Sequence, residues 1–237
     1  MVEGILEQEE LPKNRVVLGG DHLGPLNWQD LSEDEAMAKA EELVTEYTIA
    51  GFGKIHLDTS MRVASDDVNA PLDLRVCARR GARLANCVKS AYIKRLTFDP
   101  QAIRPVLVIG SEVPIPGGSQ QHENSITPTS PEEFHHQYQV FREEFEAAGA
   151  SFDDVVAFVV QPGVEFGDDF VFQYNRANAS LLTEALKGYH PLVFEGHSTD
   201  YQTQTSLTQM VEDGIRILKV GPALTFGLRE ALLLAEE

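Results

Sequence analysis

Cysteine is nearly missing from this chain: its 237 residues hold two, Cys77 and Cys87. Two thiols ten residues apart make no disulfide framework and match no metal-ligand spacing, which predicts a reducing, cytoplasmic setting and a packing role for both. Long apolar runs are also lacking. Val155–Val160 is typical of those present and falls far short of the roughly 20 residues a bilayer span needs. The opening MVEGILEQEE has neither the basic nor the apolar region of a signal peptide, so no membrane partner is expected. Basic residues are few, with 19 Lys+Arg (12 of them Arg) against 37 Asp+Glu, a formal net charge of −18. Such a chain repels phosphate backbones and anionic lipid, which argues against nucleic-acid binding. Acid excess with little lysine also predicts a salt-adapted source, an expectation that equal stability at low and high KCl would overturn. No GxxxxGK[ST] loop occurs, so kinase chemistry lacks its phosphate cradle.

What is present is an ordinary globular balance, 43 % hydrophobic and 24 % charged, in a chain long enough to bury a sizeable core. Six short β-rich runs stand at 16–19, 55–58, 106–110, 155–160, 192–195 and 215–220. Most are continuous Val, Ile, Leu and Phe, the pattern of parallel strands covered on both faces. Helical stretches separate them. Ser32 with Glu35 predicts a capping box ahead of the stripe Ala36, Met37, Ala40, Leu43, Val44 and Tyr47, with Gly51 as the stop. Ser130, Pro131 and Glu133 open another helix with Phe134, Tyr138, Phe141 and Phe145 on one face. Further helices are expected at 74–94, 179–187, 205–213 and from 228 onward. Six alternations of strand and helix mean an α/β fold, either a (β/α)8 barrel or a doubly wound sheet. A barrel needs eight units, so this chain would be an incomplete one.

In both architectures chemistry gathers at the carboxyl ends of strands. Those ends hold Asp21 and His22, Asp58, Glu112 followed by Gly117 and Gly118, Gln161, then Glu195, His197 and Ser198, and finally Lys219. His22, His197 and Glu112 are suited to zinc, with Asp21 as a neighbouring carboxylate that moves a proton. The plainer reading makes Asp21 a turn cap and His22 a satisfied histidine. Lys219, inside an apolar strand, either pairs with Asp58 or Glu195 or acts as a Schiff-base nucleophile. Asp58 and Glu195 are ion-pair partners or ligands for substrate hydroxyls. Gly117 and Gly118 either admit a phosphate to backbone amides or mark a plain turn. His56 alternates with Asp58 and so shares its face.

The segments VVLGGDHLGPLNW, EVPIPGG, VVQPGVEF, EGHSTDYQT and ILKVGPALTFGLREA resemble the Z subunit of class II D-tagatose-1,6-bisphosphate aldolase. That family is also labelled tagatose-6-phosphate kinase, and the resemblance runs over about residues 14–235. It implies a (β/α)8 TIM barrel whose third to eighth strands are the six runs above. Residues 1–237 would then be one partial barrel domain, lacking the first two units and a C-terminal extension. It further implies an accessory, non-catalytic subunit that sustains the activity and stability of a catalytic aldolase subunit in galactitol or N-acetylgalactosamine breakdown, possessing a sugar or sugar-phosphate site and able to form oligomers. The catalytic class II aldolases, which are lyases, bind zinc through three histidines. Their Asp-His pair carries over onto Asp21 and His22, a later histidine onto His197 and a glutamate onto Glu112, whereas the remaining histidine falls near Gln161. The alternative is a metal-dependent enzyme on ketoses or ketose phosphates, acting by retro-aldol cleavage or 4-epimerisation, with Asp58, Gly117, Gly118, Gln161, Glu195, Ser198 and Lys219 lining the substrate.

Overall fold

The computed structural model describes residues 2–111 and 126–236. Its elements run α1 (Val2–Gln8), β1 (Gly19–Leu23), α2 (Glu33–Ala50), β2 (Lys54–Leu57), α3 (Leu74–Leu96), β3 (Val106–Ile109), α4 (Pro131–Ala147) and β4 (Val155–Val160). There follow a two-stranded hairpin of β5 (Glu165–Phe166) and β6 (Val171–Phe172), then α5 (Arg176–Leu186), β7 (Val193–Gly196), α6 (Gln204–Glu212), β8 (Ile215–Leu218) and α7 (Pro222–Glu236). Six strands form one sheet in the order β1-β2-β3-β4-β7-β8, every neighbour parallel. The order never reverses, as it does at the switch point of a doubly wound sheet. It is the winding of a barrel.

The sheet is curled. Laid flat, six strands would separate β1 from β8 by roughly 24 Å, five spacings of about 4.8 Å. Instead His22 on β1 lies 2.9 Å from the Lys219 ammonium just beyond β8. β1 and β8 are not paired with each other, so the sheet is a half-barrel, consistent with an incomplete TIM barrel.

The helix signals act as local chemistry predicts. Ser32 and Glu35 bond reciprocally at the start of α2, and Gly51 closes it at φ 96°; Ser130 and Glu133 do the same for α4, with Pro131 in its first turn. Ala36, Met37, Ala40 and Val44 of α2 and Phe134, Phe141 and Phe145 of α4 are buried against the outer face of the sheet. That face presents Ile55, Leu57, Leu107, Ile109, Phe158, Val160, Phe194 and Ile215 to them. Phe134 meets Phe158 and Phe194 edge-on, an arrangement that adds to plain area burial.

Boundaries shift where polar residues carry the signal. α5 begins at Arg176, ahead of the apolar pattern, because the Asn175 side chain accepts from the Ala177 and Asn178 amides. α7 begins at Pro222, not at 228, a proline being well suited to a first helical turn. The largest correction concerns the first strand, expected at 16–19. Val16 and Val17 lie exposed, and pairing begins at Gly19 opposite Lys54. Asp21 and His22 therefore sit within β1 and not beyond its end.

Candidate functional site

The inner face of the curled sheet carries the chemistry. A strand turns alternate side chains to one face, so Lys54, His56 and Asp58 of β2 and its exit all face inward. Glu195 and His197 do the same on β7. β1 breaks this alternation. Its register slips between Gly20 and Leu23, and His22 takes a left-handed φ of 52°. The irregularity lets two consecutive residues reach one cluster: the Lys54 ammonium lies 2.7 Å from Asp21 Oδ1, and His22 Nδ1 lies 2.9 Å from Asp58 Oδ2. Gly24 keeps the exit of β1 against that of β2, since a Cβ there would stand 1.7 Å from the Asp58 carbonyl oxygen.

Three imidazoles form a triangle. The ring centres of His22, His56 and His197 stand 5.3, 5.6 and 5.6 Å apart. Glu195 lies among them, with Oε1 3.0 Å from His197 Nε2 and 3.8 Å from His56 Nδ1. Its Oε2 is 2.8 Å from the Lys54 ammonium, an ion pair not aligned as a hydrogen bond. Lys54 thus bridges Asp21 and Glu195. Lys219 takes neither partner expected for it: its ammonium meets His22 Nε2 at 2.9 Å and Asp21 Oδ1 at 3.8 Å.

Burial and charge set the protonation of these groups. Burial works to raise Glu195, but His197, His56 and Lys54 outweigh it and hold the carboxyl at about 2. Asp58 resists burial in the same way, through His22 and Ser60, and also lies at about 2. Asp21, against its own burial, is pressed well below the carboxylate range by His56, Lys54 and Lys219. Burial pulls His197 down to about 4, against Glu195, and also lowers His56 and Lys219. Lys54 is raised, because Glu195 and Asp21 overcome its desolvation.

Among the described residues, one triad is suited to a metal ion. His56, Glu195 and His197 each offer one ligand atom, all within 4.8 Å of one another. His56 is fully buried, and neither of its ring nitrogens makes a hydrogen bond: Nδ1 faces Asp21 Oδ1 at 3.6 Å and Glu195 Oε1 at 3.8 Å, both too long for one. A buried polar group without a hydrogen bond is costly, and a cation between these three residues would engage one of its two nitrogens. Two imidazoles and a carboxylate make a common set for a first-row divalent ion. His22, by contrast, has both nitrogens engaged, by Asp58 and Lys219.

Of the residues expected from sequence, Asp21, His22, Asp58, Glu195, His197 and Lys219 come together. Gln161 does not join them: its Oε1 accepts from the Gly163 and Val164 amides in the loop after β4. Ser198 follows His197 at a left-handed φ of 53°. Its neighbour Thr199 donates through its backbone N–H and its hydroxyl to the Lys219 carbonyl. Asp200 accepts from the amides of Gly221 and Ala223, so the loop carrying His197 is tied to the loop carrying Lys219. Glu112, Gly117 and Gly118 lie outside the described residues. Sequence reasoning missed Lys54 as a site residue and left His56 as a strand histidine. The signal for both was the two-residue step Lys54, His56, Asp58.

A model of the D-tagatose-1,6-bisphosphate aldolase subunit GatZ/KbaZ-like family matches residues 1–236. A D-tagatose 6-phosphate 4-epimerase of Agrobacterium fabrum is 43 % identical over 233 residues, which is 98 % of this chain and 53 % of that protein. The crystal structure of a probable tagatose 6 phosphate kinase from Sinorhizobium meliloti is 45 % identical and superposes with a TM-score of 0.82, covering 98 % of this chain and 54 % of that one. The chain spans about half the length of these relatives.

Proposed function

Because the chain belongs to the D-tagatose-1,6-bisphosphate aldolase subunit GatZ/KbaZ-like family, we propose that it is the site-bearing part of a metal-dependent ketose-phosphate 4-epimerase. It is read as one partial barrel domain, residues 1–237, whose six sheet strands correspond to barrel strands three to eight. The observation that carries the proposal is the buried His56, whose ring nitrogens make no hydrogen bond, beside Glu195 and His197. A barrel kept only to prop up another subunit gains nothing from so costly a group.

A divalent ion such as zinc held by His56, Glu195 and His197 would supply Lewis-acid polarisation of the ketose carbonyl. The remaining work falls to the chain's own residues. Inverting C4 needs no net atoms. The O4 proton leaves, the C3–C4 bond breaks to an aldehyde and an enediolate, the aldehyde turns, and the bond re-forms on its other face as the proton returns. The family resemblance gives that proton to Asp21, but a carboxylate held so far below its usual range is a weak base. Lys219 fits the task better. It is partly exposed, its proton affinity is lowered by burial, and it stands at the head of a line through His22 to Asp58. Asp58 is fully buried, with one oxygen on His22 and the other on Ser60, so it orients His22 and does not meet substrate. Asp21, the most exposed carboxylate of the cluster, fixes the two lysines and faces the sugar hydroxyls, a role that Ser198 shares.

The test is to incubate the chain with D-tagatose 6-phosphate and zinc or cobalt and follow D-fructose 6-phosphate by NMR. Turnover that chelation abolishes and His56→Ala removes is the expected result. The family description favours a second reading, an accessory subunit. Absence of turnover, together with a longer lifetime for a catalytic aldolase mixed with the chain, would replace the first reading with this one.

A further inference from the structure

The metal triad shares its carboxylate with a lysine, and this has consequences for how an ion would bind. Three carboxylates, Asp21, Asp58 and Glu195, face two ammonium groups, Lys54 and Lys219, around the three imidazoles. Lys219 makes its shorter contact with His22 and stands 3.8 Å from its carboxylate neighbour. Lys54 is placed differently. It is the first residue of β2, its side chain is 16 % exposed, and its ammonium bridges two carboxylates at 2.7 and 2.8 Å. One of these is Glu195, whose other oxygen points at His197 and His56.

We propose that Lys54 is a built-in counter-cation of the site, standing in for the ion when none is bound and lowering the affinity for a divalent ion when one enters. This rests on the reading of His56, Glu195 and His197 as metal ligands. The physical reason is competition for one carboxylate. An ammonium on Oε2 withdraws electron density that Glu195 would lend a metal through Oε1. Its positive charge, little screened on the side of the buried His56, Glu195 and His197, repels a second cation nearby. In return, the metal-free protein keeps Asp21 and Glu195 compensated.

The experiment titrates cobalt(II), then zinc, into the wild-type chain, Lys54→Met and Lys54→Arg by calorimetry, with the cobalt absorption bands as a report on the ligand set. Lys54→Met should bind at least tenfold more tightly than wild type and show altered cobalt bands as Glu195 is freed. Lys54→Arg should stay within threefold of wild type. Metal-free Lys54→Met should melt at a lower temperature. Lys54→Gln, which keeps a donor without the charge, serves in its place if the methionine variant does not fold. Binding by the neutral variant where wild type shows none would also support the proposal. A wild type that binds metal and a neutral variant that binds equally or more weakly would overturn it while leaving the metal site intact. No binding by any form would overturn both.

Discussion

The two faces of one sheet have opposite character. The outer face, under the helices, is apolar, with Ile55, Leu57, Leu107, Ile109, Phe158, Val160, Phe194 and Ile215 in one buried cluster. The inner face is divided. On β3 and β4 it is Val108, Ala157 and Val159, packed with Val193 and Ile217. On β2 and at the ends of β1, β7 and β8 it holds three histidines, three carboxylates and two lysines. The outer face holds the fold together by area, which is indifferent to small changes of chemistry. The inner polar part is held by a few directed contacts and leaves His56 unsatisfied. Stability and function are thus separated by the two-residue alternation of a strand.

The strongest way to sharpen this contrast is to cut the outer face. Phe158→Ala should cost about 3–5 kcal/mol, read from denaturant unfolding, because Phe158 is fully buried among Phe134, Phe141 and Tyr138. The inner face should instead respond to pH. His197 takes up a proton at about 4 in the folded chain against 6.5 when unfolded. As pH falls below 6.5 the unfolded state gains a proton that the folded state refuses, so stability declines through pH 4. Melts of the metal-free chain at pH 7.5 and 4.5 should differ by roughly 2 kcal/mol from this group. Asp58 and Glu195, both at about 2, hold their contribution until lower pH and extend the loss there. A flat profile between pH 7.5 and 4.5 would mean that His197 is not buried as a neutral imidazole.

A smaller effect is expected where the two faces meet. Gly24→Ala places a methyl against the Asp58 carbonyl and should cost about 1–3 kcal/mol of overpacking, read from denaturant unfolding. The smallest change is the most telling. His56→Leu replaces a buried imidazole that makes no hydrogen bond with an apolar side chain of similar size, so the metal-free chain should melt within about 1 kcal/mol of wild type or above it, while metal binding disappears. A loss as large as that of Phe158→Ala would show that His56 belongs to the core and would break the contrast.

How far this was readable beforehand differs between the two faces. The run of β4 and the capping boxes at Ser32 and Ser130 were legible because each is a local pattern: continuous burial on both faces, or a side chain bonding three residues ahead. The site was legible in part. Asp58, Glu195, His197 and Lys219 stand at or just past strand ends, where chemistry is expected, and Asp21 and His22 follow the apolar run at 16–18 closely enough to share that expectation. Lys54 escaped because a charged first residue of a strand looks the same as a solvated one. The pairing of Lys219 was misassigned because Asp58, Glu195, His22 and Asp21 are all reasonable partners until the curl of the sheet is known.

By itself, the amino-acid sequence determined that this is an α/β chain wound as alternating strands and helices, where its best-capped helices begin, and which residue types are available for chemistry. These follow from interactions within a few residues. Only the tertiary structure decided that β1 curls round to meet the end of β8, that β1 slips register so Asp21 and His22 act together, and that His56 joins Glu195 and His197 while His22 is held by Asp58 and Lys219. Those outcomes depend on distances between residues up to 197 positions apart, and closing the sheet into a curve is what sets them.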